Sequence, residues 1–315
     1  MRLRSIISSL LIVLFLAVPD AGAIHKKRPA EVVQLWTSED DLMFGTEVLL
    51  HCYKPENPNG IAMIICPGGS YCWLDEDGEG LDVAEWFDAY GITTFVLNYR
   101  TAGFGAYFWH YRYVFRGNRH PDMIMDAQRA IQWVREHAEE YGISEDKVGV
   151  MGFSAGGHLA MSTACLSSTN YIRDTKSGGG REVNLRPDFV APIYPVVTLV
   201  GQYAHARSRR GLLGEDQLRN ETLKRTLSLE QNIPSDCPPV FIANCVDDPV
   251  VDYHNSMLLD EALTVSGIPH KYLQYATGKH GFGVSDVYGS PECRKWKYEF
   301  LAWLEEIAPY LNSTY

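Results

Sequence analysis

The sequence predicts an α/β fold with a mostly parallel central sheet and helices on both faces. Three observations carry that expectation. Short, continuous apolar runs such as 62–66, 93–97 and 240–245 read as strands covered on both sides, because a strand with helices above and below it needs no polar face. Segments of helical period follow them, closed by Gly91, Gly142 and Gly267, the residue type that most easily takes up the left-handed backbone at a helix C-terminus. The two kinds of segment alternate along 315 residues that are 46% hydrophobic, without repeat, low-complexity run or linker, so residues 24–315 are expected to form a single domain.

Residues 1–23 have the pattern of a cleavable signal peptide. Arg2 and Arg4 precede a wholly apolar stretch over 10–18, and Ala21-Gly22-Ala23 supplies a small-residue cleavage site. The apolar stretch is too short to cross a bilayer as a helix. The expectation is therefore a secreted or periplasmic protein with no integral membrane span. Residues 24–46 read as a loosely structured lead-in, 48–53 as an early strand, and 54–60, with two prolines, two asparagines and a glycine, as a turn.

The buried strand 62–66 runs into Pro67-Gly68-Gly69-Ser70-Tyr71, a glycine-rich turn. An amphipathic helix over 81–90 and a strand over 93–97 follow, the strand ending in Asn98-Tyr99-Arg100. A long helix over 122–141 places Ile124, Ala127, Ile131, Val134 and Ala138 on one face. Beyond the strand at 148–151, further strands are expected at 189–194, 240–245 and 271–275, with helices at 253–266 and 292–307. Trp296, Phe300, Trp303 and Leu304 of the last helix should face inward. Residues 201–235 are polar and irregular, with a short helix expected over 216–227.

The chemistry centres on 147–160. An apolar strand stops at Gly152, Ser154 follows in Gly152-Phe153-Ser154-Ala155-Gly156, and helix-compatible residues come next. Strand, tight turn and helix with serine at the apex is the geometry of a nucleophile elbow, in which the flanking glycines keep side chains out of a crowded turn. A serine hydroxyl needs a base, and the base needs a carboxylate to hold its tautomer, in the chain order serine, acid, histidine. His280, between Gly278 and Gly283 on a loop before the last helix, suits the base. The acid should follow strand 240–245, where Asp248 fits the spacing and Asp247 is the alternative; Asp252 suits a helix cap. His158 should pack or hydrogen-bond within the elbow helix. The oxyanion of a tetrahedral intermediate would be held by backbone amides of Ala155 and of Gly69 or Ser70.

Composition narrows the partners. A net charge of −11 argues against nucleic acid, whose phosphates require a basic surface. The seven cysteines are irregularly spaced, without zinc-ribbon pattern. Cys66, Cys165 and Cys245 read as small buried hydrophobes, and one bridge, Cys66 with Cys72 or Cys237 with Cys293, is the expectation for an exported chain. No metal or organic cofactor is required by the chemistry.

The segments Cys66-Pro67-Gly68-Gly69-Ser70-Tyr71, Asn98-Tyr99-Arg100, Asp126-Ala127-Gln128-Arg129-Ala130, Gly152 to Ala160, Ser208 to Gly214, Asp247-Asp248-Pro249-Val250-Val251 and His280-Gly281-Phe282-Gly283 together resemble the α/β-hydrolase superfamily. Within it the chain resembles secreted bacterial esterases of the acetyl-xylan-esterase-like and feruloyl-esterase-like kind. The resemblance covers roughly 45–308 and implies a serine carboxylesterase acting on O-acyl, foremost O-acetyl, esters of plant polysaccharide or oligosaccharide. A serine peptidase of prolyl-oligopeptidase type and a non-catalytic carbohydrate-binding protein are the alternatives. Ser70 stands where the family often has glycine, and Asp252 where it often has proline. The larger departure is 104–115, in which seven of twelve residues are aromatic against 12% for the chain. Tyr71, Trp109 and Tyr111 are the expected substrate-binding side chains, since aromatic faces stack on sugar and feruloyl rings.

Overall fold

The computed structural model describes residues 27–40, 42, 47–110, 112, 116–179 and 181–311; the signal segment 1–23 and Tyr111 lie outside the described residues. The elements are β1 (Glu31–Gln34), β2 (Leu49–Tyr53), β3 (Gly60–Cys66), α1 (Asp82–Asp88), β4 (Thr93–Asn98), α2 (Gly105–Phe108), α3 (Asp122–Glu136), α4 (Ala138–Tyr141), β5 (Ile143–Phe153), α5 (Ala155–Cys165), β6 (Phe189–Ile193), α6 (Ala206–Leu213), α7 (Glu221–Thr226), β7 (Val240–Cys245), α8 (His254–Val265), β8 (His270–Tyr275) and α9 (Trp296–Leu311). The strands form one sheet in the order β1-β2-β4-β3-β5-β6-β7-β8. Every pairing from β4 to β8 is parallel, while β1 with β2 and β2 with β4 are antiparallel.

The two-residue alternation of the strands sorts their side chains into two cores. Ala62 and Ile64 of β3, Val148 and Val150 of β5 and Ile242 of β7 pack with Ile131 of α3, Leu159 of α5 and Leu259 of α8. Met63, Ile65, Met151, Phe153 and Phe241 point the other way, onto Phe87 of α1 and Trp296, Phe300 and Trp303 of α9. Burying each such side chain is worth about 1.5–3 kcal/mol, so the doubly covered strands read as unbroken apolar runs. This layering puts the C-terminal ends of β3 to β8 along one edge, where open α/β sheets place their chemistry.

Several elements differ from expectation. Strand β1 lies inside the supposed lead-in; it is a mostly exposed edge strand, so it carries no apolar signature. The helix expected over 122–141 breaks at His137, whose ring stacks on Trp133 at 4.0 Å and whose Nδ1 lies 2.7 Å from the Trp133 carbonyl oxygen. In the irregular region α6 was not expected, and α7 is shorter than the 216–227 reading because Asn220 caps it, its side-chain oxygen accepting from the Leu223 N–H. The expected disulfides are absent: all seven cysteines are buried free thiols. Cys293 faces Cys245 rather than Cys237, both sulfurs lying against the backbone of Gly278. No helix among the described residues is long and apolar enough to cross a membrane.

Candidate active site

Strand β5 ends in a turn so tight that its glycines are obligatory. A Cβ on Gly152 would collide with the Gly156 carbonyl, and one on Gly156 with the carbonyl oxygens of Cys66 and Pro67. Ser154 sits at the apex in the left-handed region (φ 56°), a conformation that costs a non-glycine residue energy and persists only when its surroundings over-determine it. They do: its N–H donates to the Ile193 carbonyl at 3.0 Å, and its own carbonyl accepts from the His158 and Val196 N–H groups.

His280 reaches this serine from the loop after β8. Its Nε2 lies 3.0 Å from Ser154 Oγ and its Nδ1 lies 2.6 Å from Asp248 Oδ2. The other Asp248 oxygen accepts the N–H groups of Val250 and Val251 at 2.8 and 3.0 Å, which fixes the carboxylate on the turn after β7. Asp247 points elsewhere, accepting the Lys279 N–H at 2.8 Å and so bracing the loop that carries the histidine. Asp252, read as a helix cap, accepts the His254 N–H at the start of α8.

The glycine-rich turn after β3 closes over the serine. A Cβ on Gly68 would stand 3.0 Å from Ser154 Cβ, so only glycine allows that approach. The N–H groups of Gly69 and Ser70 donate to no acceptor among the described residues, and that of Ala155, first in α5, has no intrahelical partner. Tyr71 is placed against expectation. Its side chain is 1% exposed and its hydroxyl donates to His158 Nδ1 at 2.8 Å, leaving no face for a substrate. His158 in turn donates from Nε2 to the Leu227 carbonyl at 2.9 Å, and burial pushes its imidazole down to about 4.

The BD-FAE family model matches residues 62–263. The chain belongs to the BD-FAE family. It is 32% identical over 226 residues to endo-1,4-beta-xylanase B of Butyrivibrio fibrisolvens, covering 71% of this chain and 33% of that protein. It is 30% identical over 236 residues to the acetylxylan esterase of Xylanibacter ruminicola, covering 74% and 43%. It thus spans less than half the length of these two relatives. Among solved structures it superposes on the acetyl ester-xyloside bifunctional hydrolase of Caldicellulosiruptor lactoaceticus with a TM-score of 0.75 at 31% identity, over 89% of this chain and 97% of the other. The fold is that of the α/β-hydrolases.

In this BD-FAE member the aromatic segment starts beside the glycine turn. The Trp73 N–H donates to the Gly69 carbonyl at 3.1 Å, and its ring packs edge-on against Tyr107 and Phe104. Phe104, Phe108 and Trp109 are 62%, 58% and 68% exposed. The Arg207 guanidinium lies 4.0 Å from the Tyr107 ring centroid. Below the rings, buried Arg112 pairs with Glu215 and donates to the Gly211 carbonyl, and Arg210 donates to the carbonyls of Ala106 and Tyr107. Trp109, expected to bind substrate, therefore lies exposed at the surface.

Several residues that hold this BD-FAE site were not found from sequence. Arg100 Nε donates to Asp126, whose Oδ1 also accepts from Trp36 Nε1 at 2.7 Å, and this pins the end of β4 to α3. Arg100 and Asp126 did stand in the quoted motifs, but with no role attached. Glu79 and Tyr194 carried no functional signal: Glu79 lies between the glycine-rich turn and the helix over 81–90, and Tyr194 reads as the end of the strand over 189–194.

Proposed function

We propose that this chain is a carboxylic ester hydrolase that removes O-acyl, foremost O-acetyl, groups from plant polysaccharide or oligosaccharide. The observation that carries the reading is the continuous hydrogen-bonded line from Ser154 Oγ through His280 to Asp248 beneath the undonated N–H groups of Gly69 and Ser70. In this reading Ser154 attacks the ester carbonyl while His280 Nε2 takes its proton. Asp248 orients the ring through Nδ1–H and stabilises the imidazolium, and His280 then returns the proton to the leaving alcohol. The amides of Ala155 and of Gly69 or Ser70 hold the oxyanion, each donor worth about 3–4 kcal/mol of transition-state stabilisation. Water activated by His280 releases the acid. Trp109 and its exposed neighbours offer flat faces to sugar rings, and Arg207 edges the same surface. The xylan-directed relatives support the substrate class. Residues 24–315 act as one domain, exported by the segment 1–23.

The test is release of acetate against ferulate from xylan fragments by the purified chain, with Ser154→Ala alongside. We expect acetate release by the wild type and a loss of at least about 10³-fold in Ser154→Ala. Equal rates for the two proteins would sink the mechanism, and ferulate release alone would move the substrate to feruloyl esters.

A further inference from the structure

Glu79 is a buried carboxylate without a cation. It is 5% exposed, and no Lys, Arg or His side chain among the described residues lies within ion-pair distance. Taking a carboxylate out of water costs several kcal/mol unless its lone pairs are occupied. Here both oxygens are used. Oε2 accepts the Gly68 N–H at 2.7 Å and Oε1 accepts the Tyr194 hydroxyl at 2.8 Å. The Tyr194 oxygen accepts in turn from the Gly283 N–H at 3.2 Å. Gly68 belongs to the glycine-rich turn and Gly283 to the loop that carries His280.

Tyr194 is itself held in an uncommon state. Its φ is 36°, outside the ordinary range for an aromatic residue, and its N–H donates to the Ala243 carbonyl at 2.7 Å. Its ring lies 4.7 Å from the His280 imidazole and 4.5 Å from the Phe282 ring, centroid to centroid. Burial pushes its hydroxyl well above the ordinary phenol range, so the proton stays on and donates to Glu79. Burial also raises the Glu79 carboxyl, against the lowering effects of the Tyr194 hydrogen bond and the nearby His280. Gly283 is fixed from its other side by Trp296 Nε1, which donates to its carbonyl at 2.8 Å.

We propose that Glu79 and Tyr194 are positioning residues: a two-membered strut that sets the distance between the oxyanion-binding turn and the base-bearing loop across Ser154. The inference rests on the serine-hydrolase reading above. In a serine hydrolase the two sides of the reacting carbon must be placed together, the oxyanion donors on one side and the base on the other. A shift of about 1 Å between them costs on the order of 10²-fold in rate. The strut joins those two sides by three hydrogen bonds and a ring contact, and it touches neither the serine hydroxyl nor the expected acyl position. Its effect therefore belongs to kcat rather than to ground-state binding.

The test uses the full chain and p-nitrophenyl acetate, with thermal melting to show that each variant is folded. Tyr194→Phe removes one oxygen atom and should lower kcat about 30-fold with KM changed by less than about 3-fold. Glu79→Ala should lower kcat about 100-fold. Glu79→Gln, which keeps an acceptor for Gly68, should recover most of that loss. Because both residues act through one strut, the Glu79→Ala, Tyr194→Phe double variant should be no slower than the worse single variant by more than about 3-fold. Should Glu79→Ala not fold, Tyr194→Phe and Glu79→Gln carry the comparison. Folded variants with kcat within about 3-fold of wild type, losses that multiply in the double, or losses confined to KM would each overturn the proposal. Ser154→Ala separates the two readings: wild-type kcat in that variant removes the serine mechanism, whereas an inactive Ser154→Ala beside a fully active Tyr194→Phe removes only the strut.

Discussion

The loop over 276–292 and the aromatic segment over 104–110 leave the same edge of the sheet and are held in opposite ways. In the first, nearly every backbone turn has an anchor. Lys279 N–H is held by Asp247, Gly283 by Tyr194 and Trp296, the Val284 carbonyl by buried Lys297, and the Thr277 carbonyl by Ser290. In the second, arginines hold the backbone from beneath while Phe104, Phe108 and Trp109 stand in solvent. In the proposed mechanism a group that must transfer a proton over 3 Å cannot wander, whereas a surface proposed to meet sugar chains would gain from open, flat area that is buried only on binding. The apolar area at Phe104, Phe108 and Trp109 is left out of the folded core.

The contrast can be attacked first where it is strongest. Asp248→Asn should lower kcat about 10⁴-fold by stabilising the wrong histidine tautomer, while Asp247→Asn, which only loosens the loop, should cost no more than about tenfold. Steady-state kinetics on p-nitrophenyl acetate decides it, and losses of similar size would erase the distinction between the group that acts and the group that braces. Next, Arg100→Met leaves Asp126 buried without its cation and should cost about 3–5 kcal/mol in urea unfolding. A cost below about 1 kcal/mol would mean that the base of the aromatic segment is not anchored at β4.

A third prediction concerns pH. The His158 imidazole is held at about 4 by burial against an ordinary value of 6.5. Between those values the unfolded chain binds a proton that the folded chain refuses. Stability is therefore complete above about 6.5 and falls as pH drops toward 4, by an amount on the order of 3 kcal/mol. The melting temperature should decline from pH 7 to pH 5, and less steeply in His158→Gln; parallel declines would show that His158 does not titrate in this window. The smallest effect is expected at the open surface. Trp109→Ala should leave the melting temperature and the kinetics on p-nitrophenyl acetate unchanged, and raise KM for acetylated xylan fragments about fivefold, near 1 kcal/mol. Equal KM values on the fragments would take Trp109 out of recognition.

What could be read from the sequence followed from how local each signal is. Strands β3, β4 and β7 are buried on both faces and announce themselves as apolar runs; β1 has one neighbour and announces nothing. The convergence of Ser154, Asp248 and His280 was legible because chain order and turn chemistry constrain all three. Asp247 and Asp248 were harder to separate: adjacent carboxylates differ only in direction, and direction is tertiary. Tyr71 was misread for the same reason. An aromatic residue beside a glycine-rich turn points to a ligand or into the core depending on its backbone, and here a positive φ of 60° turns it inward to His158. Glu79 was illegible because its partners lie 11 and 115 positions away, and no spacing rule connects them.

The crowding at the elbow also bears on how such a scaffold diversifies. Gly156 is packed against the carbonyls that end β3, so the nucleophile strand and the strand feeding the glycine-rich turn form one mechanical part. Mutations there have no neutral direction, since any added atom separates the two. Variation is better tolerated where the chain leaves the sheet edge, as it does over 104–110 beyond β4. If the proposed substrate reading holds, library design aimed at acyl or sugar preference has its productive space in the exposed part of that segment, around Phe104, Phe108 and Trp109.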